Sequence, residues 1–393
     1  MNGHAAVVEV QSPVLIFGAS GRAAAASAQR SGYLPVVVDQ FADADTCEVA
    51  TATRCPLDEY PDGIVALAAN IPAMPFVYAG ALENRPDVIE RLALTRVLWG
   101  NPAAVLELVR DPFRLRDWFA DAAIEFPKTV REVERPSTGR WLRKPRASGG
   151  GHGIAFASNG VQQSTNHVVQ EYRAGEPRSA IFASDGRTLE LLGITHQLIG
   201  QTWLHCQQFH YCGTLGPDES DDKLGPDLLR IADVLVERSG LRGIWGIDFL
   251  DDAGRIVVLE VNPRYTASIE VLEHQTGLRS FDWIRWAFAG GPKPLGTRAP
   301  KPGVVGKAIY FAPNDLTFPQ TGPWVESLRR AREVHRRSDF ADIPHPGEII
   351  PRGFPVLTIL DDAETRAECA TRLQSRAAAL DLLFSSASNE TVP

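Results

Sequence analysis

The sequence predicts a mixed α/β protein built from more than one packed unit, and three observations carry that expectation. Apolar runs of strand character alternate with helix-like segments through the N-terminal part. Further along, two adjacent apolar strands carry polar residues at strand spacing, Asp248 on one and Glu260 and Asn262 on the other. The chain has 393 residues, enough for two or three units with large cores and no need of a disulfide or structural metal.

Taken in order, Val14-Leu15-Ile16-Phe17 ends at Gly18, and Gly21 with a run of alanines follows, a strand–turn–helix pattern. Val36-Val37-Val38 ends at Asp39, and Phe76-Val77-Tyr78-Ala79-Gly80 reads as a further strand. Strands separated by helices imply a parallel, doubly wound sheet. Near residue 110 the character changes. Residues 111–122 read as a helix with Phe113, Leu115, Trp118 and Phe119 at its apolar positions, closed by Phe126-Pro127-Lys128-Thr129. Strand-like residues 140–144 lead into a glycine-rich stretch, and residues 168–172 form another strand. Residues 227–238 read as an amphipathic helix, with Leu228, Ile231 and Leu235 at helical spacing and Gly240 where a C-cap belongs. Two strands joined by Asp251-Asp252-Ala253-Gly254 follow. Residues 291–303, rich in Pro and Gly, read as a linker or crossing loop. A tail unit has strands near 304–312 and 355–360 and a helix from about 364 to 380, with polar, frayed residues over 385–393. No internal repeat is present.

Composition excludes several classes. Lys and Arg total 40 against 48 Asp and Glu, a formal net charge of −8 with no basic block, so no nucleic-acid footprint is present. Residues 1–10 lack a positive region followed by an apolar core and do not read as a signal peptide. The most apolar long stretch, residues 64–82, is broken by Asn70, Pro72 and Pro75 and does not read as a membrane span. Five scattered cysteines form no CxxC pair, as expected of reduced thiols in a cytoplasmic protein. Cys206 and Cys212, with His205 and His210 nearby, have no closing second pair for a structural zinc site.

The chemistry-bearing residues fall in three groups. The first is Gly246-Ile247-Asp248-Phe249 with Leu259-Glu260-Val261-Asn262-Pro263-Arg264. With a turn centred on Ala253, Asp248 lies opposite Val258 and shares a face with Glu260 and Asn262. Two carboxylates and an amide oxygen make an oxygen-only site suited to Mg²⁺. Two unpaired carboxylates on an apolar strand pair are costly without a cation; the bland alternative is a solvated sheet face. Arg264, just beyond, can grip a phosphate or carboxylate in bidentate fashion. The second group is Lys144, ending the strand Trp141-Leu142-Arg143-Lys144-Pro145, and the loop Ser148-Gly149-Gly150-Gly151-His152-Gly153. An ammonium beside a run of backbone N–H groups suits phosphate oxygens, although the loop is no Walker A sequence. The third is Gln170, Glu171 and Tyr172 at the end of an apolar strand, which can present an edge to adenine, with Glu176 beyond for ribose hydroxyls. Gly18-x-x-Gly21 with Asp39 imitates a dinucleotide fingerprint but lacks the full GxGxxG.

These three signals, in this order, resemble the ATP-grasp superfamily. Its strand lysine and glycine-rich loop match Lys144 and residues 148–153. Its adenine-side hinge resembles residues 170–172, and its metal pattern looks like Asp248, Glu260 and Asn262, completed by Arg264. The resemblance implies a Rossmann-like pre-ATP-grasp domain over 1–110, an α+β ATP-grasp domain over 111–290 and a small C-terminal α+β unit over 291–393. It implies ATP and Mg²⁺ as cofactors. The reaction it implies activates a small-molecule carboxylate as an acyl phosphate and joins it to an amine or thiol, with ADP and phosphate released. Many members carry a second ATP-contacting lysine at an Asp-Lys step. Here Asp111 is followed by Pro112, and Arg114 is the substitute within reach in sequence.

The whole-chain pattern is similar to ATP-dependent carboligases related to biotin carboxylase, some of which accompany tetrahydromethanopterin or methanofuran synthesis. That implies a place in one-carbon-carrier biosynthesis and leaves a homodimer open. The polar and aromatic residues between hinge and hairpin, above all Gln197, His210 and Tyr211, are the acceptor-pocket candidates. Two alternatives stand beside this reading. One is a biotin-carboxylase-like carboxylating enzyme, which would need a separate carrier because no Met-Lys-Met segment is present. The other is a non-catalytic ATP-binding protein.

Overall fold

The computed structural model describes residues 12–158, 164–217, 223–295 and 302–387. The readings made on residues 1–10, on 296–301 of the proposed linker and on 388–393 lie outside these.

The N-terminal strands form a four-stranded, all-parallel sheet in the order Thr51–Arg54, Leu34–Asp39, Pro13–Phe17, Phe76–Tyr78. The alanine run becomes the helix Arg22–Arg30, with Ala24, Ala25 and Ala28 buried against the sheet. Gly21 and Asp39 serve this packing. A Cβ on Gly21 would meet Val37 Cγ1 at 2.6 Å. The Asp39 carboxylate accepts from the N–H groups of Gly21 (2.7 Å), Phe41 (3.1 Å) and Ala42 (2.7 Å). The apparent fingerprint is thus a strand–helix junction that uses its own carboxylate.

Besides a short antiparallel pair, Leu316–Thr317 with Ile349–Ile350, two larger antiparallel sheets follow. The smaller has the order Thr129–Val130, His167–Glu171, Trp141–Pro145, Ala155–Phe156. The larger has eight strands: Arg255–Asn262, Gly243–Asp252, Glu176–Ser184, Leu189–Ile199, Tyr211–Gly216, Val304–Phe311, Pro355–Ala363 and Phe340–Ala341. The last three come from the C-terminal part, which therefore hydrogen-bonds directly into the same sheet as the Asp248–Glu260 hairpin. The helix Gly225–Ser239, ended by Gly240 at φ 73°, buries Leu228, Ile231 and Leu235 on the outer face of this sheet against Phe182, Trp245 and Phe249. Each such side chain contributes about 1.5–3 kcal/mol by leaving water. Pro112–Asp121 is a helix capped by Asp111, whose carboxylate accepts from Phe113 N at 2.8 Å. The C-terminal helix, Arg366–Ala387, runs beyond the expected 380 and takes in residues 385–387, which the polar composition had marked as frayed. Among the described residues no helix is long and apolar enough to cross a membrane.

Candidate active site

A cavity of about 490 Å³ opens between the two antiparallel sheets. Lys144, residues 148–151, Gln170, Glu171 and Tyr172 line it from the small sheet, and Asp248, Glu260, Asn262 and Arg264 from the large one. Residues up to 120 apart in sequence therefore face one space.

The hairpin differs from its sequence-based register in an informative way. Its turn is Ala253-Gly254, both left-handed at φ 54° and 89°, the two-residue connection that matches strand twist. Phe249 pairs with Val258, but Asp248 pairs with Glu260, not Val258 as expected, because Leu259 is an extra residue in a β-bulge. Without the bulge Asp248 would face Leu259, and Glu260 would turn to the apolar side with Trp245, Ile247 and Phe249. The bulge moves Glu260 and Asn262 onto the Asp248 face, so both Leu259 and Glu260 line the cavity. Asn262 Nδ2 donates to Asp248 Oδ2 at 2.9 Å.

The electrostatics follow from that placement. Burial, reinforced by the Glu260 charge, pushes Asp248 up to about 7. Burial also pushes Glu260 up, but the charges of Arg110 and Lys144 outweigh it and hold Glu260 below the usual carboxylate range. Lys144 Nζ donates to Gln170 Oε1 at 3.0 Å, and burial holds the ammonium below its ordinary value despite the attraction of Glu260. Gln170 in turn donates to Thr129 Oγ1 at 3.1 Å, so its side chain orients Lys144 and the strand Thr129–Val130 fixes it. Tyr172 packs between Arg140, 4.3 Å from its ring, and Phe156. Asp248 and Glu260, two carboxylates opposite each other with an amide beside them, fit a divalent cation with phosphate and water as its other oxygens.

Two expectations are corrected. Glu176 does not line the cavity. Strand alternation sends Pro177 and Ser179 inward and Glu176 to the other side, where Arg366, His196 (3.2 Å) and Arg178 (3.5 Å) engage its carboxylate. Arg114 is exposed on its helix, and Arg110 reaches the site instead. Arg110 Nη1 lies 3.4 Å from Glu260 Oε2 and donates to Val261 O at 3.1 Å; Nη2 donates to Ser148 O at 2.7 Å and Asn84 Oδ1 at 3.1 Å. The signal for it was the cation immediately before the helix cap, Arg110-Asp111. Glu83 was also missed: buried after the strand Phe76–Tyr78, it pairs with Arg264 at 2.8 Å and holds that guanidinium beside Asn262.

The glycine loop is docked. Tyr211 N donates to Gly150 O at 3.0 Å, and a Cβ on Gly151, at φ 79°, would meet Phe209 O at 1.9 Å. The His152 ring lies 4.3 Å from that of His210, which places His210 on the lid side while Gln197 and Tyr211 line the cavity. Among the described residues, the Tyr211 hydroxyl and the Thr266 hydroxyl are buried without a hydrogen-bond partner. Thr266 heads the helix Ala267–Thr276, whose first residues also face the cavity.

Residues 109–268 match the model of the ATP-grasp domain family. A formate-dependent phosphoribosylglycinamide formyltransferase of Pseudomonas putida is 26% identical over 287 residues, 66% of this chain and 68% of the relative. Among solved structures, L-amino acid ligase from Bacillus licheniformis has a TM-score of 0.67 at 15% identity, covering 93% of this chain and 96% of that one. Biotin carboxylase from Campylobacter jejuni has a TM-score of 0.67 at 14% identity, covering 91% and 89%. The biotin carboxylase domain dimer of 2-oxoglutarate carboxylase from Hydrogenobacter thermophilus, solved with MgADP and bicarbonate, has a TM-score of 0.67 at 16% identity, covering 92% and 88%. Residues 109–268 are thus an ATP-grasp domain, and the chain as a whole is built on the fold of these ligases and carboxylases.

Proposed function

We propose that the protein is a carboxylate–amine ligase that works through an acyl phosphate. The observation that carries this reading is the facing of Asp248, Glu260 and Asn262 by Lys144 and Arg110 across one cavity. In it, Lys144 and the N–H groups of residues 149–151 hold the ATP phosphates. Gln170, Glu171 and Tyr172 border the base. Asp248, Glu260 and Asn262 would hold Mg²⁺, which when bound neutralises charge on the phosphate oxygens. Arg264, fixed by Glu83, orients the donor carboxylate for in-line attack on the γ-phosphorus. The docked loop keeps water from the acyl phosphate, and the amine then displaces phosphate at the acyl carbon. Two relatives support an amine as the acceptor: one is named for formate-dependent formyl transfer to phosphoribosylglycinamide, the other for ligation of amino acids.

A homodimer belongs to the same reading, as does a place in one-carbon-carrier synthesis; sedimentation and the metabolites of a deletion strain test these. The chemistry is tested by hydroxylamine trapping. With Mg²⁺, ATP and a panel of carboxylates that starts with formate, a hydroxamate should accumulate with equimolar ADP. ADP release with no hydroxamate from any carboxylate would exclude an acyl phosphate.

A further inference from the structure

Arg110 ends the helix Ala103–Val109 and stands immediately before the Asp111 cap of the next helix, so its backbone is held on both sides. Its N–H donates to Leu106 O at 2.9 Å, and Asp111 O accepts from Leu115 N at 3.1 Å. From that fixed point the side chain, 12% exposed, reaches the cavity wall that it shares with Lys144, Ser148 and Glu260. Its guanidinium touches three separate parts of the chain. Nη2 donates to Ser148 O in the glycine loop (2.7 Å) and to Asn84 Oδ1 beyond the N-terminal sheet (3.1 Å), and Nη1 donates to Val261 O in the hairpin (3.1 Å). These acceptors are neutral oxygens. The carboxylate in reach is Glu260, met through a single oxygen at 3.4 Å. That is longer than the about 2.7–2.9 Å of a charge-assisted bond. Asp111, its neighbour in sequence, is engaged by Phe113 N at 2.8 Å and by Arg146 at 3.3 Å. Nε of Arg110 is buried with no partner among the described residues. Arg264 shows the contrast, because buried Glu83 at 2.8 Å serves as its own counter-ion. Arg110 therefore brings a largely buried charge with no dedicated anion to the wall of the cavity, and such a charge is costly until an anion arrives.

We propose that Arg110 exchanges partners when ligand binds: without ligand it stands in for the divalent cation at Glu260, and with nucleotide it becomes a second cationic contact on the ATP phosphates, beside Lys144. The exchange needs little motion. Glu260 gives up one long contact when it turns to a cation shared with Asp248, and Nη1–H is left for a phosphate oxygen. Nη2 keeps Ser148 O, so one side chain holds both the glycine loop and the phosphates. The fork geometry of a guanidinium allows this, whereas the single head of an ammonium does not. Sequence position explains why Arg110 takes the task. Pro112 follows Asp111 and brings no cation there, and Arg114 is exposed on its helix. The nearest charge that packing turns into the cavity is therefore the one just before the cap.

This role rests on the ATP-site reading, and the experiment keeps the two apart. The full chain and its Arg110→Gln and Arg110→Lys variants are titrated with three probes: Mn²⁺ alone, a non-hydrolysable ATP analogue with Mg²⁺, and AMP with Mg²⁺. Arg110→Gln should bind the ATP analogue at least about tenfold more weakly, one charge-assisted contact, with AMP affinity unchanged. The same variant should bind Mn²⁺ alone at least about threefold more tightly, because Glu260 and Asp248 keep their charge and lose a competing cation. Two shifts of opposite sign are not expected of an arginine that only supports the fold. Arg110→Lys keeps the charge without the fork, so it should lose ATP-analogue affinity to a smaller extent, again with AMP unchanged; it carries the test if Arg110→Gln does not fold. Wild-type affinity for the ATP analogue in a folded variant overturns the proposal. So does a loss that AMP shares equally, and so does Mn²⁺ affinity in Arg110→Gln that is unchanged or weaker. A wild-type protein that binds no ATP analogue removes the ATP reading and this role together, whereas analogue binding indifferent to Arg110 removes this role alone.

Discussion

Glu260→Gln is the most discriminating single change, because it separates a cation ligand from a structural carboxylate. In the protein without ligand, two opposing effects nearly cancel. Glu260 faces Asp248 across the hairpin, where directly opposed side chains lie about 5 Å apart. At an effective dielectric of about 20 that repulsion is about 3 kcal/mol, and its removal lets Asp248 ionise more readily. Against this, Glu260 loses its attraction to Arg110 at 3.4 Å, about 5 kcal/mol gross at the same dielectric and much less net once desolvation is counted. The side chain is also 34% exposed to the cavity, which screens both effects. Melting temperature should therefore shift by no more than a few degrees. Catalysis should respond very differently. Removing the charge of one partner of a desolvated charge pair costs about 2–5 kcal/mol, so Mg²⁺-dependent ADP release should fall by about thirtyfold or more. The assay is coupled ADP detection over a Mg²⁺ titration, with melting curves on the same samples. Wild-type turnover in Glu260→Gln would remove the hairpin from the reaction, and failure to fold would make Glu260 a structural carboxylate.

Three further outcomes are expected. Lys144→Ala should weaken binding of an ATP analogue at least about tenfold, one charge-assisted contact of about 1.5 kcal/mol, with an unchanged circular dichroism spectrum; equal affinity by calorimetry refutes the phosphate role. Gly151→Ala forces a Cβ into Phe209 O at a left-handed backbone position, so the loop should undock and exchange faster over residues 148–153 while global stability is retained; unchanged exchange would show that the contact relaxes without cost. Asp248 is raised in the folded state to about 7, above its unfolded value, so the stability it lends is present at acid pH and is lost as pH rises through about 7. The ligand-free melting temperature should fall between about pH 4 and 7 and level off above, and Asp248→Asn should flatten that slope.

Local pattern in the sequence determined much of this protein. Asp248, Glu260 and Asn262 stood out because each interrupts an apolar strand, Lys144 because it closes a strand before a glycine run, and the helix Gly225–Ser239 because its apolar spacing is 3.6 and its stop is a left-handed glycine. Those features depend on neighbours a few residues away, which the sequence displays. Tertiary structure decided what depends on counting across a turn or on distant partners. The bulge at Leu259 sets which carboxylates face each other, and one extra residue reverses strand parity with no mark in the hydrophobic pattern. The same parity turned Glu176 out of the site towards Arg366, 190 residues away. Arg110 instead of Arg114 serves the carboxylates because the chain before the Asp111 cap lies against the hairpin, 150 residues further on. The docking of Gly151 on Phe209 likewise exists only once two sheets close on one cavity. Side-chain direction at a distance is a property of packing, and packing is where residues remote in sequence first meet.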